Sequence, residues 1–175
     1  MTATKESASK NYYYAGGEKV ELDLVDEYRA IDVRRVRRGT KLRRKVDEIV
    51  RNSKARTYKT VSIVPADALP AELEEELSRR GAFQPLFRRD DAMIVFLPEV
   101  RIEEDRPEYK KKIRSLLKRH EAELTVDQRS YKANVKPKSG RGVDALELAN
   151  EIQEEVSPDY VQARMLRITP RPKYD

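Results

Sequence analysis

Apolar positions along the chain switch between a period of two and a period near 3.6, and the switches are clearest after Ala92. Met93 to Leu97 is a continuous apolar run that continues through Val100 and Ile102 at period two, as a well-buried strand does. Between Arg106 and His120, the residues Tyr109, Ile113, Leu116 and Leu117 fall on one helical stripe. Ala122, Leu124 and Val126 then alternate, as do Tyr131, Ala133 and Val135, with Arg129-Ser130 as a tight connection. Ala145, Ala149, Ile152 and Val156 return to helical spacing, and Val161, Ala163 and Met165 alternate ahead of Pro170 and Pro172. The order is β-α-β-β-α-β. Two helices on one face of a four-stranded antiparallel sheet is its compact solution, which predicts an α+β protein with a ferredoxin-like sandwich at residues 92–169.

The front of the chain predicts a second, smaller α+β module at residues 12–91. Residues 1–11 are polar and expected to be disordered. Tyr12 to Leu24 reads as a hairpin turning at Ala15-Gly16-Gly17-Glu18, because paired glycines permit the positive φ of a tight turn. A strand is expected over Tyr28–Val36, carrying Ile31 and Val33. Thr40 caps a helix that runs to about Asn52 on Leu42, Val46, Ile49 and Val50. Lys59–Val64 reads as a strand, Pro70 opens a helix through Arg80, and Gly81 stops it. Phe83–Arg89 is expected to pair with Ala92–Leu97 through Asp90-Asp91, so that the halves share one sheet near Phe83–Glu103. Residues 170–175 are left as a tail.

A chain of 175 residues with 38% hydrophobic and 39% charged residues has core enough to fold and a heavily charged surface. It has no cysteine, hence no disulfide framework. The first residues lack the apolar segment of a secretory signal, which predicts a cytoplasmic location. No run approaches the ~18 apolar residues of a membrane span. The net charge of +6 concentrates at Arg34-Arg35-Val36-Arg37-Arg38, Lys41-Leu42-Arg43-Arg44-Lys45 and Lys110-Lys111-Lys112. Such clusters serve phosphate binding, but each falls on the polar side of an amphipathic helix or at a strand end, as a solvated surface does. An RNA-binding α+β module is therefore the second functional reading. Only Tyr131 is placed mid-strand for base stacking in the later module, with Tyr12-Tyr13-Tyr14 explained as well by packing, so a nucleic-acid partner is disfavoured.

Groups for catalysis do not converge. The one histidine, His120, ends a helix, where a cation suits the dipole. No serine sits in a nucleophile elbow. A metal would find no cysteine and no second histidine. Glu103-Glu104-Asp105 and Glu72–Glu76 suit helix starts and solvated faces. Ser139-Gly140-Arg141-Gly142 suits a strand-to-helix turn better than an anion cradle. The expectation is a protein that is not an enzyme, with no catalytic residue, no metal and no cofactor.

The segment Gly142–Pro172 resembles the end of a subtilisin-type propeptide, the inhibitor module of S8 serine proteases. The matching residues are the helix Asp144–Glu155, the turn Ser157-Pro158-Asp159, the strand Tyr160-Val161-Gln162-Ala163-Arg164 and the residues after it. Tyr12 to Val20 resembles the start of bacterial subtilase precursors, and Pro170-Arg171-Pro172-Lys173-Tyr174-Asp175 resembles the junction into a catalytic domain. The resemblance implies an inhibitor and intramolecular chaperone of a subtilisin-like catalytic domain, in cis or in trans. It implies that the open sheet face packs on the protease and that the chain beyond Arg164 lies in the substrate cleft as an added strand. The implied contact residues are Tyr160, Gln162, Arg164, Met165, Leu166, Arg167, Ile168, Thr169, Pro170, Arg171, Pro172, Lys173, Tyr174 and Asp175. Related propeptides carry acidic side chains where this chain has Gln162 and Arg164, which leaves Glu154, Glu155 or Asp159 as the candidates for that role.

Overall fold

A computed structural model describes residues 11–127 and 132–169, which form a mixed α+β protein with four α-helices and antiparallel sheets. Of the segment 1–11 expected to be disordered, residues 1–10 lie outside the described residues, as do the Arg129-Ser130 connection and Tyr131, whereas Asn11 is part of the described fold and its carbonyl accepts the Leu22 N–H at 2.8 Å. The chain opens with the hairpin β1 (Tyr12–Ala15) and β2 (Glu18–Glu21), turned by Gly16 and Gly17 at φ 59° and 82°. Next come β3 (Asp23–Leu24) and β4 (Tyr28–Asp32). The strand expected to reach Val36 stops at Asp32. Its side chain accepts the Arg34 N–H and turns residues 33–35 into a 3-10 helix, which removes Val33 from the strand.

Helix α1 (Lys41–Asn52) starts where the Thr40 hydroxyl accepts the Arg43 N–H at 3.2 Å, and it buries Leu42 and Val46. Then follow β5 (Arg56–Tyr58), β6 (Val61–Pro65), α2 (Ala71–Arg79), β7 (Phe83–Gln84) and β8 (Leu86–Arg89). Strands β5, β6, β4 and β7 form one antiparallel sheet in that order. One of its faces carries Ile31 and Val64 against Leu42, Val46, Leu73 and Leu77 of α1 and α2.

The long strand β9 (Ala92–Glu103) organises the second sheet. After it come α3 (Pro107–Arg119), β10 (Ala122–Asp127), β11 (Lys132–Pro137), α4 (Gly142–Glu155) and β12 (Tyr160–Ile168). β9 pairs along its length with β12 on one side. On the other side it pairs with β8 at residues 92–95 and with β11 at residues 100–102. All pairs are antiparallel, and the βαββαβ segment has the strand order β12-β9-β11-β10. Ile94, Phe96, Val100 and Ile102 face α3 and α4, and Tyr13, Val20 and Leu22 of the hairpin segment join that core. The turn at Asp90-Asp91, where the front module was expected to end, closes the β8–β9 hairpin. Thus β3 and β8 belong to the same sheet as β9.

The two sheets stack face to face. Ala30, Val61 and Ile63 from the first meet Leu86, Val95 and Ile168 from the second, with Met93, Leu97 and Leu166 alongside. The layers thus run α1/α2, first sheet, second sheet, α3/α4. The first sheet covers only the half of the second that holds the start of β9 and the end of β12. The other half of that face is open.

Candidate protein-docking surface

Position in the chain makes β12 an edge. Helix α4 ends as the Ser157 hydroxyl donates to the Gln153 carbonyl at 2.9 Å and Ser157 takes φ 49°. Pro158 then leads into the last strand. β12 pairs with β9 from Tyr160↔Glu103 to Ile168↔Met93, and among the described residues it pairs with no other strand. Its outer row of N–H and C=O groups is therefore a template for another strand.

The register shifts by two between Ala163 and Met165, with the extra residues at 97–99 of β9, so the alternation of side chains along β12 keeps its phase. Before the shift, Val161 and Ala163 pack toward α4 while Tyr160 and Gln162 stand on the open half-face. After it, Met165 packs toward the helices and Leu166 and Ile168 enter the contact between sheets. The segment expected to leave the fold after Arg164 is thus strand as far as Ile168, held by Ile168 burial and by pairing with Met93 and Ile94. The chain leaves the sheet at Thr169, which is exposed. Pro170, Arg171, Pro172, Lys173, Tyr174 and Asp175 lie outside the described residues.

The open half-face is polar. Arg101 of β9 lies between its register mates Asn134 of β11 and Gln162 of β12, and Glu103 lies opposite Tyr160. The Tyr160 hydroxyl donates to Gln162 Oε1 at 2.6 Å, which fixes the amide that faces outward. Arg164 reaches Glu99 at 3.5 Å, and Arg101 reaches Glu103 at 3.5 Å. Beside the start of the β12 edge is a notch of about 480 Å³ lined by Tyr14, Gly16, Gly17, Pro158, Tyr160 and Gln162.

The three acidic residues considered for a partner are engaged within the chain. Glu154 accepts the hydroxyls of Tyr12 at 2.6 Å and Tyr14 at 3.0 Å. That hydrogen bond, with burial and the nearby carboxylate charge adding to it, raises the Tyr12 pKa to about 12. Glu155 faces Arg119 at 3.4 Å and Asp159 faces Arg106 at 3.3 Å. His120 caps the C-terminus of α3, and its Nε2 meets Glu151 of α4, which also pairs with Arg119. Desolvation pushes the Glu151 carboxyl up, but His120 and Arg119 together outweigh it and hold the net pKa low. The N–H groups of residues 140–142 are used within the fold: Gly140 donates to the Pro137 carbonyl at 3.0 Å, Arg141 donates to Ser139 Oγ and Gly142 donates to Gln84 Oε1 at 2.8 Å.

Sequence patterning did not reveal Glu99 and Arg101 as part of this surface. Their signal was present, since they are the odd-numbered positions of a strand whose even positions are core. Among the described residues, no helix is long and apolar enough to cross a membrane. No family model, no curated protein and no solved structure matches the chain.

Proposed function

We propose that the chain is a propeptide-like inhibitor and folding partner of a subtilisin-like serine protease, in cis or in trans, carried on a ferredoxin-like module at residues 92–169. It acts by binding and performs no catalysis of its own. One observation carries the reading: the outer edge of β12 pairs with no strand among the described residues, and the strand runs directly to Thr169, ahead of Pro170 and Pro172 in the sequence. The βαββαβ strand order and the open half-face beside that edge support it as well.

On this reading Tyr160, Gln162 and Arg164 meet the surface of the catalytic domain. Thr169 and the residues after it lie in the substrate cleft as a strand held by main-chain hydrogen bonds. Pro170 and Pro172 restrict φ and bias their neighbours to extended backbone, which lowers the ordering cost of binding. Because the inhibitor binds the native protease and not its unfolded chain, it favours protease folding by mass action.

The test is gel filtration of the purified chain with a panel of subtilisin-like catalytic domains whose active serine is replaced by alanine. A one-to-one complex that survives the column supports the reading. Elution of the two proteins apart, across the panel, contradicts it.

A further inference from the structure

From Arg34 to Val46 the chain carries eight basic residues and no acidic one. Two are engaged within the fold, Arg34 with Asp32 and Arg43 with Asp47, each at 2.9 Å. The other six are Arg35, Arg37, Arg38, Lys41, Arg44 and Lys45. All are exposed, and none forms an ion pair with a described residue. The Arg35 guanidinium lies against Gly140, so close that a Cβ there would collide with it. This contact brings the exposed Lys138 and Arg141 of the β11–α4 turn onto the same surface.

This ridge costs helix stability. Lys41 and Arg43 occupy the first turn of α1, which holds no acidic residue. Cations there oppose the positive end of the helix dipole. Among the described residues, no carboxylate forms an ion pair with the six remaining charges. A local rule broken with no return inside the fold marks a surface used for binding.

We infer that the ridge formed by residues 35–45 and 138–141 docks an acidic polypeptide segment. Most of its cations are arginines, whose guanidinium fork matches a carboxylate at two points. No aromatic residue occurs at 33–57 or 132–142, so the ridge offers no stacking platform for single-stranded nucleic acid. Arg37, Arg38 and Arg44 belong to α1 and the segment before it, on the far side of the first sheet, whereas β12 is in the second sheet. The inference is therefore independent of protease inhibition, and the two surfaces are separable by mutation at those three residues.

The test is fluorescence anisotropy of a labelled oligoglutamate peptide and of an oligoadenylate of matched charge, titrated with the full chain. The oligoglutamate binds, and its affinity falls as salt rises. The triple variant R37E/R38E/R44E binds it at least tenfold more weakly. The variant K110E/K111E/K112E makes the same change in net charge on α3 and loses less than about twofold. K41E weakens binding several-fold yet raises Tm by about 1–4 °C, because a carboxylate suits the first helical turn. Inhibition of a protease by R37E/R38E/R44E stays at the level of the parent chain. Equal losses in the two triple variants would reduce the ridge to net charge alone and overturn the inference. Tighter binding of oligoadenylate than of oligoglutamate would overturn it in favour of nucleic acid.

Discussion

Glu104 and Arg106 close a two-point ion pair on the turn between β9 and α3, with Arg106 Nε donating to Oε1 at 2.8 Å and Nη2 donating to Oε2 at 2.7 Å. The Arg106 backbone N–H also donates to Oε1 at 2.8 Å, so a nearly inaccessible carboxylate anchors the entry into α3. The hydrogen bonds from Arg106 are the main reason the Glu104 pKa falls from an ordinary 4.5 to about 2. A depressed carboxyl pKa contributes stability that is fully present above the unfolded value and is lost as pH falls from about 4.5 toward 2. Glu104→Gln is expected to cost about 1–3 kcal/mol at pH 7, with Arg106 half-exposed and screened, and to flatten the acid limb of stability against pH. Urea midpoints measured across that range check both effects.

Gly142 at the start of α4 has no room for a side chain, since a Cβ there would stand 1.8 Å from the Phe96 carbonyl oxygen of β9. The obstacle is backbone and cannot swing aside. Gln84 bridges the same joint, donating to the Gly81 carbonyl and accepting from the Gly142 N–H, each at 2.8 Å. Gly142→Ala is expected to cost about 3 kcal/mol or more. Gly17→Ala meets open space and carries only its positive φ of 82°, so about 1 kcal/mol is expected. Thermal unfolding of the two variants separates collision from backbone strain.

The hairpin is fastened to α4 through Tyr12, Tyr14 and Glu154. The raised Tyr12 pKa favours the neutral phenol in the folded chain. Its contribution is therefore full below the ordinary tyrosine value of 10 and is lost as pH rises through about 12. In Glu154→Gln the last tyrosine to ionise in a spectrophotometric titration is expected to move back toward 10. Tyr12→Phe is expected to cost about 0.5–1.5 kcal/mol.

The end of β12 belongs to the fold. Removing residues 170–175 is expected to leave Tm unchanged, whereas ending the chain at Arg164 deletes the strand that pairs with β9 at residues 93–96. Ile168→Ala alone is expected to cost about 2–4 kcal/mol, because Ile168 is buried between the sheets. Calorimetry of these three chains checks it.

Much of this architecture was legible in the chain, for reasons tied to particular residues. Gly16-Gly17, Thr40 and the stripe from Leu42 to Val46 state their turn, cap and helix locally. The apolar run from Met93 marks β9 because the start of that strand is covered on both faces. Other features depend on partners remote in sequence. The strand from Tyr28 ends at Asp32 and not at Val36, and alternation cannot register the reason, which is that the Asp32 carboxylate captures an N–H. β5 has only one half-buried residue, Tyr58, and so carries almost no apolar signal. The reach of β12 to Ile168 depends on Ala30, Val61 and Ile63 across the sheet contact, with extra residues of β9 at 97–99 taken up opposite Arg164. The open half-face was hidden for the same reason, since its extent is set by how far the first sheet covers the second.

The central claim is that a rigid sheet presents the edge of β12 and the residues from Thr169 onward to a protease cleft. The most direct measurement is the inhibition constant of the isolated chain against a subtilisin-like protease, compared with a chain ending at Ile168. Nanomolar or tighter inhibition by the full chain, weakened at least a hundredfold by that truncation while Tm holds, is the predicted result. No inhibition by the full chain, or equal inhibition by both chains, would contradict it.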